Sequence, residues 1–173
     1  MAISLFDVSV ASFLQTLSGV SATLEKARTH CETNDLDADE WVGFRLAADM
    51  LPFSFQVISV AHHSIGAIEG VKAGMFSPGG PSPEPGYAGL QKVITDAQAS
   101  LSALTRDEVN ALEGKDVVFK LGEMQMPFVA EDFLMSFSLP NLHFHATTAY
   151  DILRLKGVKL GKRDYLGPLR MKR

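Results

Sequence analysis

Four of the five histidines occur as close pairs, His62 with His63 and His143 with His145. Imidazole is the side chain best suited to acid–base chemistry and metal binding near neutral pH. Residues two positions apart on an α-helix point about 200° apart, so His143 and His145 cannot face the same way. The surrounding apolar pattern predicts that His145 points inward and that His143 points toward the rim. The same analysis places His62 on an inner face and His63 about 100° away, beside Gln56.

Inward histidines on two different helices predict a site for a metal or a ligand between those helices. Neutral imidazole binds Zn, Ni or Fe, and helical bundles build metal sites from side chains on facing helices. A catalytic zinc site takes three protein ligands, and two histidines four positions apart share one face of a helix. The position four after His145 is Ala149, so no such pair exists there. A metal held by His62 and His145 would need His63 or Asp49 as a further ligand.

Three interpretations of these histidines remain open. They are packed imidazoles that hydrogen-bond to their neighbours, or they hold a divalent metal such as Zn or Ni, or they line a pocket without metal. The missing third ligand favours a site without metal. In the pocket interpretation, His62 and His145 are the polar anchors, Tyr150 lies near the rim, and Asp49 is a further candidate for ligand binding.

The elements that must position these residues are four long helices, each with an apolar stripe of helical period. The first has a cap at Ser4 and Asp7 and a stripe from Phe6 to Leu24; the others run from about Ala47 to Lys72, from about Tyr87 to Leu104, and from about Ala130 to Lys156. The second helix carries the line Leu51, Phe55, Ile58, His62 and Ile65, which we expect to face the core.

Breaks in the periodicity predict the remaining elements. Residues 74–86 contain four prolines and four glycines, which predicts a long loop. Apolar alternation over residues 117–128 predicts a β-hairpin that turns at Gly122 and Glu123. Pro140 predicts a kink or a break at Leu139, and Gly157 is well placed to end the last helix. The predicted fold is an all-α four-helix bundle with a small hairpin before the last helix, in one domain over residues 1–173.

Composition limits the classes of function. The 173 residues carry a net charge of −4 and are 46% apolar, which argues against nucleic acid and membrane as partners. The basic residues are concentrated at the end, because eight of the 16 lysines and arginines follow Leu153. One cysteine, Cys31, excludes an internal disulfide, and the N-terminus has no basic segment typical of a secretory signal. We therefore expect a cytoplasmic protein.

Two stretches, RLAADMLPFSFQV (residues 45–57) and LPNLHFHATTAYDILRLKGVKLGKRDYLG (residues 139–167), together with the strand pair, resemble the DinB/YfiT-like superfamily of four-helix bundles, which are described as metalloenzymes. The closer resemblance is to a bacterial subfamily catalogued as a domain of unknown function. The superfamily takes one metal ligand from the second helix and two, spaced HxxxH, from the last. The resemblance therefore implies ligands at His62 or His63 and at His145, with the third position at Ala149. It also implies a homodimer.

These observations predict a small-molecule-binding protein with a cavity between the second and fourth helices and an incomplete metal site. The first alternative is a metal-dependent hydrolase or transferase that uses His62 and His145. The second is a non-enzymatic interaction protein whose contact surface is the basic segment after Gly157.

Overall fold

The computed structural model describes residues 3–79 and 85–172. This part of the chain is mostly helical and contains a small three-stranded sheet. Its helices are α1 (Leu5–Val8), α2 (Val10–Thr33), α3 (residues 53–73), α4 (Tyr87–Ser102), α5 (Arg106–Asn110), α6 (residues 130–155) and α7 (Lys162–Leu166), with a 3₁₀ turn at Ala38–Trp41. The strands are β1 (Met75–Phe76), β2 (Asp116–Leu121) and β3 (Met124–Val129).

Helix α2 is the most regular element and packs against α4. The predicted stripe is confirmed over most of its length, since Phe13, Leu17 and Leu24 are at most 1% exposed. The predicted cap at Ser4 is also present, although it opens the short α1, which ends before Ser9. The helical residues 5–33 have the length and apolar composition of a membrane-spanning helix. A buried core helix of a folded domain can have the same length and composition.

Helix α3 begins at Phe53, six residues later than predicted. The cause is Pro52, because a proline ring disfavours helical backbone in the residue before it. Asp49 therefore lies in an exposed turn and not in the first turn of the helix. The helix consists of an α segment (Phe53–Ala61), a π-helical turn (His62–Gly66) and a second α segment (Ala67–Ala73).

Helix α6 also contains a π-helical turn. It consists of Ala130–Asp132, the π turn Phe133–Ser138 and the long segment Leu139–Leu155. The sequence left open whether Pro140 kinks or breaks the helix at Leu139, and the break is wrong because the chain stays helical through Pro140. Proline has no N–H to donate and its ring crowds the preceding turn, and the wider π turn lies at that point. Gly157 follows the helix with φ of 92°, the left-handed conformation of the predicted cap.

The predicted hairpin is confirmed, with β2 antiparallel to β3 and a turn at Gly122. Strand β1 was not predicted. It lies at the start of the proline- and glycine-rich loop and pairs in parallel with β2, with Phe76 opposite Phe119. Within that loop, residues 80–84 lie outside the described residues.

The basic C-terminal segment folds back onto the helices. Val158 and Leu160 are buried, and the Arg154 guanidinium donates to the Leu160 carbonyl at 2.6 Å. Helix α7 then packs on α2 so closely that a Cβ at Gly19 would lie 2.4 Å from the Tyr165 carbonyl oxygen. Part of this segment is therefore integral to the fold.

Candidate functional site

A cavity of about 610 Å³ lies between α3 and α6, with β1 and β2 on one side. We call it the histidine cavity. Its wall is mainly aromatic and aliphatic, with a few polar side chains. The described lining residues are Arg45, Leu51, Pro52, Ser54, Phe55, Ile58, Ser59, His62, His63, Phe76, Pro78, Gly79, Phe119, Phe137, Asn141 and His145.

Four of the five residues of the apolar line predicted to face the core, Leu51, Phe55, Ile58 and His62, instead border this cavity. Leu51 and Phe55 are 48% and 40% exposed, whereas Phe53, Val57 and Val60 are completely buried. The helix has two apolar sides, and the prediction chose the wrong one for the core. Phe53, Val57 and Val60 follow each other at steps of four and three, so they form the stripe that packs.

Three histidines meet at the inner part of the cavity. The ring centroid of His63 lies 5.6 Å from that of His62 and 5.7 Å from that of His145. The prediction that His63 points away from the inner pair is wrong, because it assumed a regular α-helix. Both His62 and His63 belong to the π turn, whose i to i+5 hydrogen bonding changes the direction of successive side chains.

His145 is held by a chain of two hydrogen bonds. The Gln56 amide nitrogen donates to the Leu51 carbonyl at 2.9 Å, so its amide oxygen is the end that faces His145 Nδ1, at 2.8 Å. Because that oxygen only accepts, Nδ1 carries the proton and donates. In the neutral ring, Nε2 then has the lone pair. Gln56 thus sets which tautomer His145 adopts.

His63 is held in a similar way by Ser138, which comes from the π turn of α6. The Ser138 hydroxyl donates to the His63 backbone carbonyl at 3.3 Å. Its oxygen is therefore an acceptor for His63 Nδ1, which lies 3.4 Å away. This again places the proton on Nδ1 and the lone pair on Nε2. The two π turns are joined by this pair of contacts.

His62 has a different role. Its Nε2 lies 2.8 Å from the Ser77 carbonyl oxygen and so donates its proton there. Its ring stacks on Phe76 with centroids 4.4 Å apart. The other nitrogen, Nδ1, is close to Gly66, where an added Cβ would lie 3.1 Å from it. His62 therefore attaches β1 and the following loop to α3.

Burial keeps the histidines of the cavity neutral. It lowers the pKa of His145 to about 4. Burial, followed by the proximity of His62 and His145, lowers the pKa of His63 to about 3. Burial also lowers the pKa of His62, and the hydrogen bond to Ser77 opposes this shift. Near neutral pH, His63 and His145 are therefore hydrogen-bond acceptors at Nε2.

The donor set does not fit the three-ligand metal site that the superfamily implies. Ala149 stands at the third position and has no donor atom, and His62 Nε2 is bonded to Ser77. Within residues 3–79 and 85–172, no group of three or more His, Cys, Asp or Glu side chains is placed to hold a metal ion.

Two of the predicted site residues lie elsewhere. Asp49 is exposed in the turn before α3, and neither it nor Tyr150 is among the described residues that line the cavity. The Tyr150 ring packs against that of Tyr165, with centroids 6.1 Å apart. His143 is exposed, as predicted, and its Nδ1 lies 3.3 Å from the Tyr165 hydroxyl.

Several residues of the site were missed from the sequence. Gln56 gave one usable signal, since it is a polar residue in the apolar segment Phe53–Ala61 and is only 2% exposed. Ser138 and Asn141 gave none, because their direction depends on the π turn before Pro140. Phe76 and Phe137 are placed by the sheet and that turn in the same way.

Comparison with solved structures shows which class of protein has this fold. A DinB family member protein from Shewanella denitrificans, known from its crystal structure, is 25% identical and superposes with a TM-score of 0.79 over 98% of this chain and 95% of that one. The family model described as a domain of unknown function (DUF1993) matches residues 5–166, and the chain belongs to this family. The resemblance inferred from the sequence is thus confirmed. No match is found among curated proteins.

Proposed function

We propose that this protein binds a small organic molecule in the histidine cavity. The observation that carries the proposal is a half-open, mainly apolar cavity of about 610 Å³ into which a few fixed polar groups converge. Ligand pockets in proteins commonly have volumes of about 300–1,000 Å³ and this composition. In this proposal the four long helices form a four-helix bundle of the DinB/YfiT-like type, and the sheet lies beside the opening of the cavity.

The polar anchors of this site would be His63 and His145, with His62 as a wall residue. His145 was an anchor in the sequence-based hypothesis, and His63 replaces His62 there because His62 Nε2 is bonded to Ser77. Asp49 and Tyr150 are left out because they do not border the cavity.

The experiment that tests this proposal measures the fluorescence of Nile red, an apolar dye, with wild-type protein and two tryptophan variants. Ile58→Trp adds an indole to the cavity wall. Val93→Trp introduces the same side chain at a half-buried position of the regular helix α4 that does not line the cavity. We expect Ile58→Trp to abolish saturable binding and Val93→Trp to retain it. Equal binding by both variants, or no saturable binding by the wild type, contradicts the proposal.

The metal-dependent alternative has a separate test. Untagged protein is analysed for Zn, Ni and Fe before and after dialysis against a chelator. Our proposal predicts well under one metal per chain, with dye binding unchanged by the chelator. About one metal per chain, lost in His145→Ala and kept in His143→Ala, would instead support a metal-dependent transferase or hydrolase.

A further inference from the structure

We infer that the histidine cavity selects an aromatic ligand that donates a hydrogen bond, such as a phenol or an aromatic N–H compound, over the matching ether or carboxylate. This inference rests on the proposed function and names the chemical class of its ligand. It follows from the direction of the hydrogen bonds at the inner wall, from the charges there and from the composition of the apolar wall.

The polar groups at the inner wall are acceptors. His145 Nδ1 donates to Gln56 and His63 Nδ1 donates to Ser138, so each ring keeps a lone pair on Nε2. Asn141 adds a third acceptor. Its amide nitrogen donates to the Phe137 carbonyl at 2.7 Å, which leaves Oδ1 as the accepting end. A ligand O–H or N–H matches such groups, whereas an ether oxygen or a carboxylate places a second acceptor against them.

The charges of the residues that line the cavity also favour a neutral hydrogen-bond donor. Among the described lining residues there is no acidic side chain, and the formally charged one is Arg45. Arg45 is exposed, and its guanidinium donates to the Met50 carbonyl. Ser59 can either donate or accept and so favours neither class. A neutral donor therefore suits the inner wall better than a carboxylate, whose charge would have to leave water without a cationic partner there.

The apolar wall favours a flat aromatic body. Phe76 and Phe119 have ring centroids 6.3 Å apart, and Phe119 and Phe137 lie 4.8 Å apart. Phe55 also lines the cavity and meets the His145 ring edge-on, with centroids 5.7 Å apart. Aromatic rings pack well on such surfaces in offset or edge-on arrangements.

The experiment uses three naphthalenes of matched shape, 2-naphthol, 2-methoxynaphthalene and 2-naphthoate, each as a competitor of bound Nile red at pH 7.5. The naphthol hydroxyl is protonated there, because phenols of the tyrosine type titrate near pH 10. We expect 2-naphthol to compete about three- to tenfold more strongly than the ether, the range for one net hydrogen bond. We expect 2-naphthoate to be the weakest of the three.

Gln56→Met tests whether Gln56 is the positioning residue. Without the amide oxygen, His145 can adopt either tautomer and its ring is less fixed, so we expect the preference for naphthol over the ether to fall toward one while Nile red still binds. His143→Ala, which changes the histidine on the outer face of the same helix, should keep the preference.

The outcomes separate this inference from the proposed function. Equal competition by naphthol and ether, or strongest competition by naphthoate, overturns the inference while Nile red binding upholds the cavity. A preference that survives unchanged in Gln56→Met overturns the assignment of Gln56 as its positioning residue. If Nile red binds and no naphthalene competes, the inference also fails alone. If Nile red itself does not bind, the proposed function fails. If Gln56→Met does not fold, the order of competition of the three naphthalenes with wild-type protein still tests the inference about the ligand class.

Discussion

The two sides of this molecule are packed in different ways. Between α2 and α4, side chains such as Leu17, Leu24, Leu90 and Ile94 are at most 1% exposed, and both helices are regular. Between α3 and α6, both helices contain a π turn and a cavity remains between them. In this fold the filled core therefore lies between two regular helices, and the cavity lies between two helices that each contain a π turn.

The contact between the π turns explains how the open side stays ordered. Ser138 of α6 accepts from His63 Nδ1 and donates to the His63 carbonyl, a group that lies within the π turn of α3. Each turn thus supplies a polar partner for the other in a place where water is excluded. Such turns occur often at functional sites.

The largest expected effect comes from removing one phenylalanine from each side. Phe13 is completely buried, so Phe13→Ala should lower the free energy of unfolding by about 3–5 kcal/mol through lost burial and a new void. Phe55 is 40% exposed at the cavity, and Phe55→Ala should cost roughly 1 kcal/mol or less. Urea unfolding of both variants measures this. Equal losses would mean that the cavity side is packed as tightly as the α2 side.

The next effect concerns the link between the π turns. Ser138→Ala leaves the buried His63 carbonyl and Nδ1 without this partner and should cost about 1–3 kcal/mol. Ser136→Ala is the control, because Ser136 is exposed in the same turn and its hydroxyl donates within its own helix, to the Asp132 carbonyl. It should change stability by at most about 0.5 kcal/mol. If the two variants were equally stable in urea, the contact with His63 would not hold the turns together.

A third prediction concerns acidic pH. The pKa of His145 is about 4 in the folded protein and near 6.5 when unfolded, so the unfolded chain binds more protons in between. Stability should therefore fall as pH drops below about 6.5 and stay level above it, by at most about 1.4 kcal/mol per pH unit for each such histidine. His145→Gln should make the dependence between pH 4 and pH 6.5 shallower in urea unfolding, and His63, whose pKa is also lowered by burial, should retain part of it. An unchanged slope would show that His145 is not buried as the structure has it.

The smallest expected effect lies at the attachment of the chain before α3. Lys156 Nζ lies 3.9 Å from the Phe44 ring centroid, which connects that chain to the end of α6. Lys156→Met should cost about 0.5–1 kcal/mol and increase hydrogen exchange in residues 44–51. Lys159→Met, at an exposed position, is the control. If residues 44–51 exchange equally fast in both variants, contacts other than the one between Lys156 and Phe44 keep this segment ordered.

The regular elements were predictable from the sequence because their causes are local. The stripe from Val10 to Leu24, the cap at Ser4 and the left-handed Gly157 each follow from periodicity or local backbone and capping preferences. The site was only partly predictable. His62 and His145 both border the cavity, and His63 was named from the sequence only as a further metal ligand. A wheel of fixed 100° steps could not place His63 beside His145 or indicate Ser138.

Strand β1 and the start of α3 show the other reasons for failure. Two residues, Met75 and Phe76, carry too little pattern to indicate a strand, and their pairing with β2 is a long-range contact. The apolar residues between Ala47 and Leu51 led to the prediction that the helix starts near Ala47. Pro52 prevents that start because it disfavours helical backbone in the residue before it. In both places the deciding interaction lies outside the window that a periodicity analysis covers.

The π turns also affect how the cavity can appear or disappear during evolution. A π turn holds one residue more than an α turn, so losing a single codon within residues 62–66 could restore a regular helix. All side chains on one side of the deletion would then rotate by about 100° relative to those on the other. Descendants of one gene could thus gain or lose this cavity through one insertion or deletion, with the rest of the sequence left intact.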